Sequence, residues 1–256
     1  MDEVIARVAQ AIVAAERILI ITGAGLSADS GLPTYRGIGG LYNGQTAEGL
    51  PIEAALSGSM LQRDPALCWK YLAELGKACL GARANAGHYA IAELQRLKPQ
   101  CWVLTQNIDG YHRAAGSPPE RLIEIHGELA PLYCQSCGAI DAQLAEHLSR
   151  PLPPRCGQCG GILRPPVVLF EEMLPEQAID SLYTELGKGF EAVVSIGTSA
   201  SFPYIVEPVL RTRQAGGFTV EINPARGDLS AVVDVHVQMG AAQALTRLQQ
   251  LWSAPE

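Results

Sequence analysis

Apolar residues near the start of the chain fall at Val4, Ile5, Val8, Ala11, Ile12 and Ala15, the spacing of a single helix face. The pattern then changes. Residues 17–22, RILIIT, form a short β-branched run that stops at Gly23. Such a run reads as a strand buried on both faces, as in a parallel sheet. The same alternation continues downstream. Helices are predicted over 66–80, 86–97 (with Asn85 as N-cap), 175–188, 204–215 and 240–252, and strands over 101–105, 121–125, 191–196, 218–222 and 234–237. Residues 38–64 are Gly-rich and show no period. Strands alternating with helices predict an α/β fold: a mostly parallel sheet with helices on both faces.

Composition narrows the class. The 256 residues are 48% hydrophobic and 18% charged, enough apolar surface for a sizeable core. Net charge is −7, which argues against a nucleic-acid backbone as the main partner. The first residues carry Asp2 and Glu3 and no basic n-region, and no stretch of 18 uncharged apolar residues occurs. A soluble, cytoplasmic monomer that engages neither nucleic acid nor membrane is the expectation.

The seven cysteines include two CxxC pairs, Cys134/Cys137 and Cys156/Cys159, separated by 18 residues. That is the spacing of a tetrahedral zinc site, and four thiolates leave no open position for a substrate, so a bound Zn2+ would be structural. Two disulfides fit an intracellular chain poorly. Residues 129–165, which hold the four cysteines and few large apolar residues, read as an insert.

Polar or glycine clusters follow five predicted strands. In an open α/β sheet ligands bind beyond the carboxyl ends of strands. After the first strand, Gly23, Gly25 and Ala28 fit G-x-G-x-x-A, a turn that lets backbone approach a pyrophosphate. A dehydrogenase would continue through a helix and second strand to an acid about 20 residues on. Here Gly31 and Pro33 interrupt the helix and no such strand follows. Tyr35 and Arg36 sit where the loop would fold back, as a ring cover and a phosphate partner or as a core tyrosine and a solvated arginine. Gln106, Asn107 and Asp109 follow the strand at 101–105, and their groups suit a carboxamide. His126 follows the next strand and can serve as a general base near neutral pH. Thr198, Ser199 and Asn223 follow the last two and can bond phosphate or ribose hydroxyls.

With GAGLSADSGLPTYR (23–36), TQNID (105–109), HGEL (126–129), the CxxC pairs, RPPVVLFEEMLP (164–175), GTS (197–199) and EINPA (221–225), the chain resembles the sirtuins, NAD-dependent protein-lysine deacylases, over about residues 18–245. The resemblance implies a discontinuous Rossmann-like NAD-binding domain (1–37, 86–128, 166–256), a cofactor-loop and helical insert (38–85) and a zinc-ribbon-like insert (129–165). It implies NAD contacts from Gly23, Ala24, Gly25, Ser27, Asp29, Tyr35, Arg36, Gln106, Asn107, Ile108, Asp109, Gly197, Thr198, Ser199, Asn223, Pro224 and Ala241. His126 would be the catalytic base, with Asn107 in the catalytic constellation. Val168 and Phe170 would flank an acyl-lysine channel. Residues 168–173, with Leu169 and Glu171, and 200–204, with Phe202, would pair with the substrate peptide as a strand. The implied chemistry uses NAD as a reactant. The acyl oxygen attacks the ribose C1′, nicotinamide leaves, and His126 deprotonates a ribose hydroxyl that attacks the resulting imidate; the lysine amine then leaves and one water is consumed, yielding free lysine and O-acyl-ADP-ribose.

Departures from the family pattern carry their own expectations. Glu171 stands where glycine is frequent, and with Glu172 it would favour basic residues beside the lysine. Met239 replaces a usual glycine in the adenine segment. Relatives that remove acidic acyl groups carry a tyrosine and an arginine at places that Leu72 and Leu75 occupy here, counted back from Asn85. An acyl carboxylate would meet two leucines and no cation, which predicts an acetyl or longer apolar acyl group. ADP-ribosyl transfer to protein and a non-catalytic NAD-binding module are the competing functions.

Overall fold

The computed structural model describes residues 1–33 and 45–252; Tyr35 and Arg36 therefore lie outside the described residues. The chain opens with α1 (Asp2–Ala14), β1 (Arg17–Thr22) and α2 (Ala24–Ala28), followed by α3 (Ile52–Ala55), α4 (Gly58–Arg63), α5 (Pro65–Gly81) and α6 (Ala86–Leu97). Then come β2 (Gln100–Thr105), α7 (Tyr111–Ala114) and β3 (Leu122–Glu124). An excursion holds β4 (Leu132–Cys134), β5 (Ile140–Asp141), α8 (Leu144–His147) and β6 (Leu163–Arg164). The chain ends with α9 (Glu176–Lys188), β7 (Ala192–Ile196), α10 (Pro203–Gln214), β8 (Phe218–Ile222), β9 (Val235–Val237) and α11 (Ala241–Trp252).

β1 explains the architecture. All its residues after Arg17 are buried. The period of two sends Ile18 and Ile20 into one core with α1, α6 and α11, and Leu19 and Ile21 into another with α9 and α10. A strand with apolar residues on both faces can only be central. It pairs in parallel with β2 on one side and β7 on the other. The six strands run β3-β2-β1-β7-β8-β9, all parallel. This is the Rossmann strand order, whose reversal point lies between β1 and β7.

A third core joins α3, α4 and α5 to the antiparallel sheet β5-β4-β6. Its centre is Trp69, 1% exposed, whose indole N–H donates to the Leu163 carbonyl at 3.0 Å. The excursion is pinned at its neck. Gly127 bridges Val167, and the Val168 N–H donates to the His126 carbonyl at 2.9 Å. No described helix is long and apolar enough to cross a membrane.

Candidate active site

Strand register brings the clusters to one edge. Thr22 lies opposite Thr105 and Ile196, Thr105 opposite Glu124, and Ile196 opposite Ile222. The residues that follow, Gly23, Gln106, His126, Gly197 and Asn223, therefore emerge along one rim.

At the reversal point the turns after β1 and β7 pack backbone against backbone. The Gly25 N–H donates to the Gly197 carbonyl at 2.8 Å, and Gly23 N–H to Ile196 at 3.0 Å. A methyl group on Gly25 would lie 2.6 Å from Gly197 Cα, and one on Gly197, at φ +58°, 2.6 Å from the Gly25 carbonyl carbon. So the glycines serve this loop-to-loop contact, beyond any ligand approach that the sequence suggests. Across the seam Gln106 Nε2 donates to Thr198 Oγ1 at 2.8 Å, and Asn223 Nδ2 to the Thr198 carbonyl at 3.2 Å. Asp29 Oδ2 accepts from Ala242 N–H at the start of α11, beside Ala241, so this carboxylate is engaged as a helix cap. Pro224 is exposed on the rim.

Beneath the turn a buried polar network fixes Asn107. Its Nδ2 donates to the Gly23 carbonyl at 3.0 Å and to Ser27 Oγ at 3.1 Å, and Ser27 donates to Asp109 Oδ2 at 2.7 Å. Burial pushes the Asp109 carboxyl up from its ordinary value, against the Ser27 and Tyr111 hydrogen bonds that favour the charged form. Behind it, His88 sits in the first turn of α6. Its Nδ1 accepts from Asn85 N–H at 3.2 Å, while the Asn85 side chain bonds back to the helix and to the Leu26 carbonyl. His112 Nε2 meets Thr22 Oγ1 at 2.9 Å. Both rings are held neutral by burial, with pKa values of about 4 for His88 and about 3 for His112.

A pocket opens beside this network. Ala24, Ser27, Asn107, Ile108 and Asp109 form its polar side, and Leu32, Pro33, Leu75, Ala78 and Cys79 its apolar side. Leu72 is buried in the α5 core behind Leu75. Lys70, on the same helix, is engaged with Glu48 at 2.6 Å, and the Tyr71 hydroxyl with Glu48 at 2.5 Å. No lysine or arginine lines the pocket among the described residues.

His126 is half-buried. Its Nδ1 lies 3.0 Å from the Gln106 carbonyl, which can only accept, so Nδ1 carries the proton of the neutral ring. Nε2 then carries the lone pair. It meets the Tyr204 hydroxyl at 2.8 Å. Burial pulls the imidazole below its ordinary value, the Gln106 carbonyl opposing, and burial pushes the Tyr204 phenol up to about 12. A neutral imidazole with its lone pair on Nε2 is the form a general base needs, although here that lone pair is engaged by the Tyr204 hydroxyl.

The segment after the excursion departs from expectation. Phe170 N–H and C=O pair with Leu56 and Gly58, at 3.0 and 2.9 Å. The Leu169 N–H donates to Glu172 Oε2 at 2.9 Å and its carbonyl accepts from Glu172 N–H at 3.1 Å, so Leu169 has spent the groups a peptide strand would use. Glu172 is also bound by Arg164 through two hydrogen bonds, 2.6 and 2.9 Å long. Of the two expected carboxylates Glu172 is thus held in an ion pair, its side chain 28% exposed, while Glu171 is exposed. It holds φ +71°, a left-handed backbone that glycine adopts freely, and its Oε2 accepts from Ser59 N–H at 3.3 Å. Val168 remains beside His126, and Phe202 packs edge-on to the imidazole at 5.9 Å.

The four cysteine Sγ atoms lie within 4.8 Å of one another. Individual separations are 3.5 Å for Cys134–Cys159, 3.8 Å for Cys137–Cys156 and 3.4 Å for Cys137–Cys159. Thiolates about 2.3 Å from a tetrahedral zinc would sit about 3.8 Å apart, so the cluster has the size of a closed zinc shell. N–H groups of Ser136, Gln158 and Gly161 point at three of the sulfurs, each at 3.4 Å.

The Sir2 family model matches residues 23–203. The chain belongs to the Sir2 family. It is similar to NAD-dependent protein deacylase 2 of Pseudomonas aeruginosa, 80% identical with 90% of each chain covered. The protein of that name from Pseudomonas syringae pv. tomato is 73% identical, with 91% of this chain and 94% of the relative covered. A solved Sir2 homologue–NAD complex superposes with TM-score 0.84 at 32% identity, covering 96% of this chain and 93% of the other.

Sequence reasoning missed two features of this Sir2 site. Tyr204 touches the histidine, whereas the sequence signals it only as the end of the 200–204 segment expected to meet the substrate peptide and as a Pro-Tyr at a predicted helix start. The Gly25–Gly197 contact joins residues 172 positions apart, a pairing that the separate motifs do not announce.

Proposed function

We infer that the protein is an NAD-dependent protein-lysine deacylase that releases nicotinamide and O-acyl-ADP-ribose. The observation that carries this is His126: its proton is fixed on Nδ1 by the Gln106 carbonyl, leaving a lone pair on Nε2 along the rim that holds Asn107 and the glycine turns. That is a base poised to take a proton from a sugar hydroxyl. A hydride-transfer site is disfavoured on other grounds, since Gly31 and Pro33 interrupt the helix after the glycine turn and the strand and acid of a dehydrogenase do not follow.

In this reading Asn107, locked by Gly23 and Ser27, presents its remaining oxygen to the nicotinamide side, with Gln106, Ile108 and Asp109 around it. Gly23, Ala24, Gly25, Gly197, Thr198, Ser199 and Asn223 form the phosphate and ribose rim. Tyr35 and Arg36 are proposed to complete it. Leu75, beside Cys79 and Ile108, supports an apolar acyl group, since an acidic one would meet no cation there among the described residues. Glu171 is proposed to favour a basic residue near the acyl-lysine. The four cysteines would hold Zn2+, whose closed shell supplies folding energy and no chemistry. The reading divides the chain into the NAD-binding unit, the 38–85 insert and the 129–165 zinc insert, in a monomeric cytoplasmic enzyme.

The test is incubation with acetyl-, succinyl- and long-chain acyl-lysine peptides, with and without NAD, with products identified by mass. Expected are NAD-dependent free lysine and O-acyl-ADP-ribose, faster from acetyl than succinyl. Label from NAD ending on protein would favour ADP-ribosyl transfer instead. His126→Ala is expected to lower deacylation at least about 100-fold.

A further inference from the structure

The Tyr204 hydroxyl is 2.8 Å from His126 Nε2. Because Nδ1 must donate to the Gln106 carbonyl, the phenol O–H donates to Nε2. A neutral imidazole has one in-plane lone pair, so it accepts one such hydrogen bond at a time. We propose that the Tyr204 hydroxyl occupies the place on His126 that the reacting ribose hydroxyl must take, so that NAD displaces Tyr204 before the base acts. The proposal rests on the reading of His126 as that base.

Two further observations support a displaceable cap. Tyr204 and Phe202 are stacked, 5.3 Å apart and 9° from parallel, and both meet the imidazole edge-on. They form one aromatic unit at the start of α10, on the segment that leaves β7 through Thr198 and Ser199. That segment includes Ala200 at φ +49°, next to the Ser199–Ser201 hydroxyl contact of 2.9 Å. Thr198 receives Gln106 Nε2 at 2.8 Å and Asn223 Nδ2 at 3.2 Å. The residues proposed to meet the NAD ribose and phosphates and the residue that caps the base are thus on one short stretch, and a ligand seated on the first reaches the second.

The groups that face the imidazole are the Tyr204 phenol and Phe202 ring from the α10 side and the Gln106 carbonyl from the β2 side. No charged side chain forms an ion pair with it among the described residues. Donation from Tyr204 favours the neutral ring in the free enzyme only, because the hydroxyl has left in the ternary complex.

The test uses the full chain with NAD and an acetyl-lysine peptide, comparing wild type, Tyr204→Phe, which keeps the ring stack, and Tyr204→Met, which removes the hydroxyl and the ring. Losing one net hydrogen bond from the free state is expected to raise kcat/KM for NAD about fivefold through KM, with kcat unchanged. The acid limb of the kcat/KM profile is expected to move to higher pH in Tyr204→Phe, while that of kcat stays in place. An unchanged KM for NAD, or a fall in kcat, overturns the cap, the second showing that the hydroxyl serves the reaction itself. His126→Ala is the control for the underlying reading. Full deacylation by that variant would remove the base, whatever Tyr204→Phe does. An inactive His126→Ala beside a wild-type-like Tyr204→Phe would remove the cap alone.

Discussion

Two residues with positive φ behave in opposite ways. Gly197, at φ +58°, has Gly25 backbone where a side chain would go, 2.6 Å from where a methyl group would sit. Glu171, at φ +71°, faces solvent and pays only the left-handed backbone cost, about 1–2 kcal/mol. Gly197→Ala is therefore expected to destabilise by about 3 kcal/mol, since the methyl would meet backbone of the facing loop and not a flexible side chain. Glu171→Gly is expected to be stabilising by up to about 1 kcal/mol, the relieved strain being partly offset by the freer unfolded chain. Urea midpoints of the two variants check both, and a Glu171→Gly protein less stable than wild type would mean that the long Ser59 contact matters more than the backbone. The glycine turn was legible from its pattern after a buried strand. What it packs against was not, because Gly197 belongs to a motif far along the chain.

The elements themselves were largely legible. RILIIT reads as β1 to the residue, and Asn85 announces α6 through its cap. The short strands β4, β5 and β6 of the cysteine excursion leave too little pattern to read, unlike the equally short β3 and β9, and α3 and α4 fall in a stretch whose glycines hide any period. The cysteine excursion was legible as chemistry, since four thiolates at that spacing suit one metal. Its attachment was not: Trp69 of α5 lies against β6 through the Leu163 carbonyl. Stripping zinc with a strong chelator is consequently expected to loosen α5 together with the small sheet. Elemental analysis should give one zinc per chain beforehand. Removal should move tryptophan emission to longer wavelength and abolish activity, and Trp69→Phe should lose most of that spectral shift. An unshifted spectrum in a zinc-free chain would show that the sheet stands without its metal.

At the scale of the molecule, stability should depend on two buried imidazoles. Folding lowers the pKa of His88 and His112 from 6.5 to about 4 and about 3. The unfolded chain thus binds more protons below pH 6.5, and stability falls as pH drops through that value toward the folded ones. Between pH 7.5 and 5 each histidine should cost about 2 kcal/mol, read from urea unfolding at the two pH values. His112→Gln should flatten the slope by that amount, and an unaltered slope would place the proton uptake elsewhere. This dependence is separate from catalysis, because neither ring reaches the rim. The clasp between Gly25 and Gly197 has a different consequence. It is a joint made wholly of main chain, with no rotamer to turn and no group there to ionise or oxidise. Neither a side-chain rearrangement nor a change of protonation can therefore alter how the turns after β1 and β7 meet.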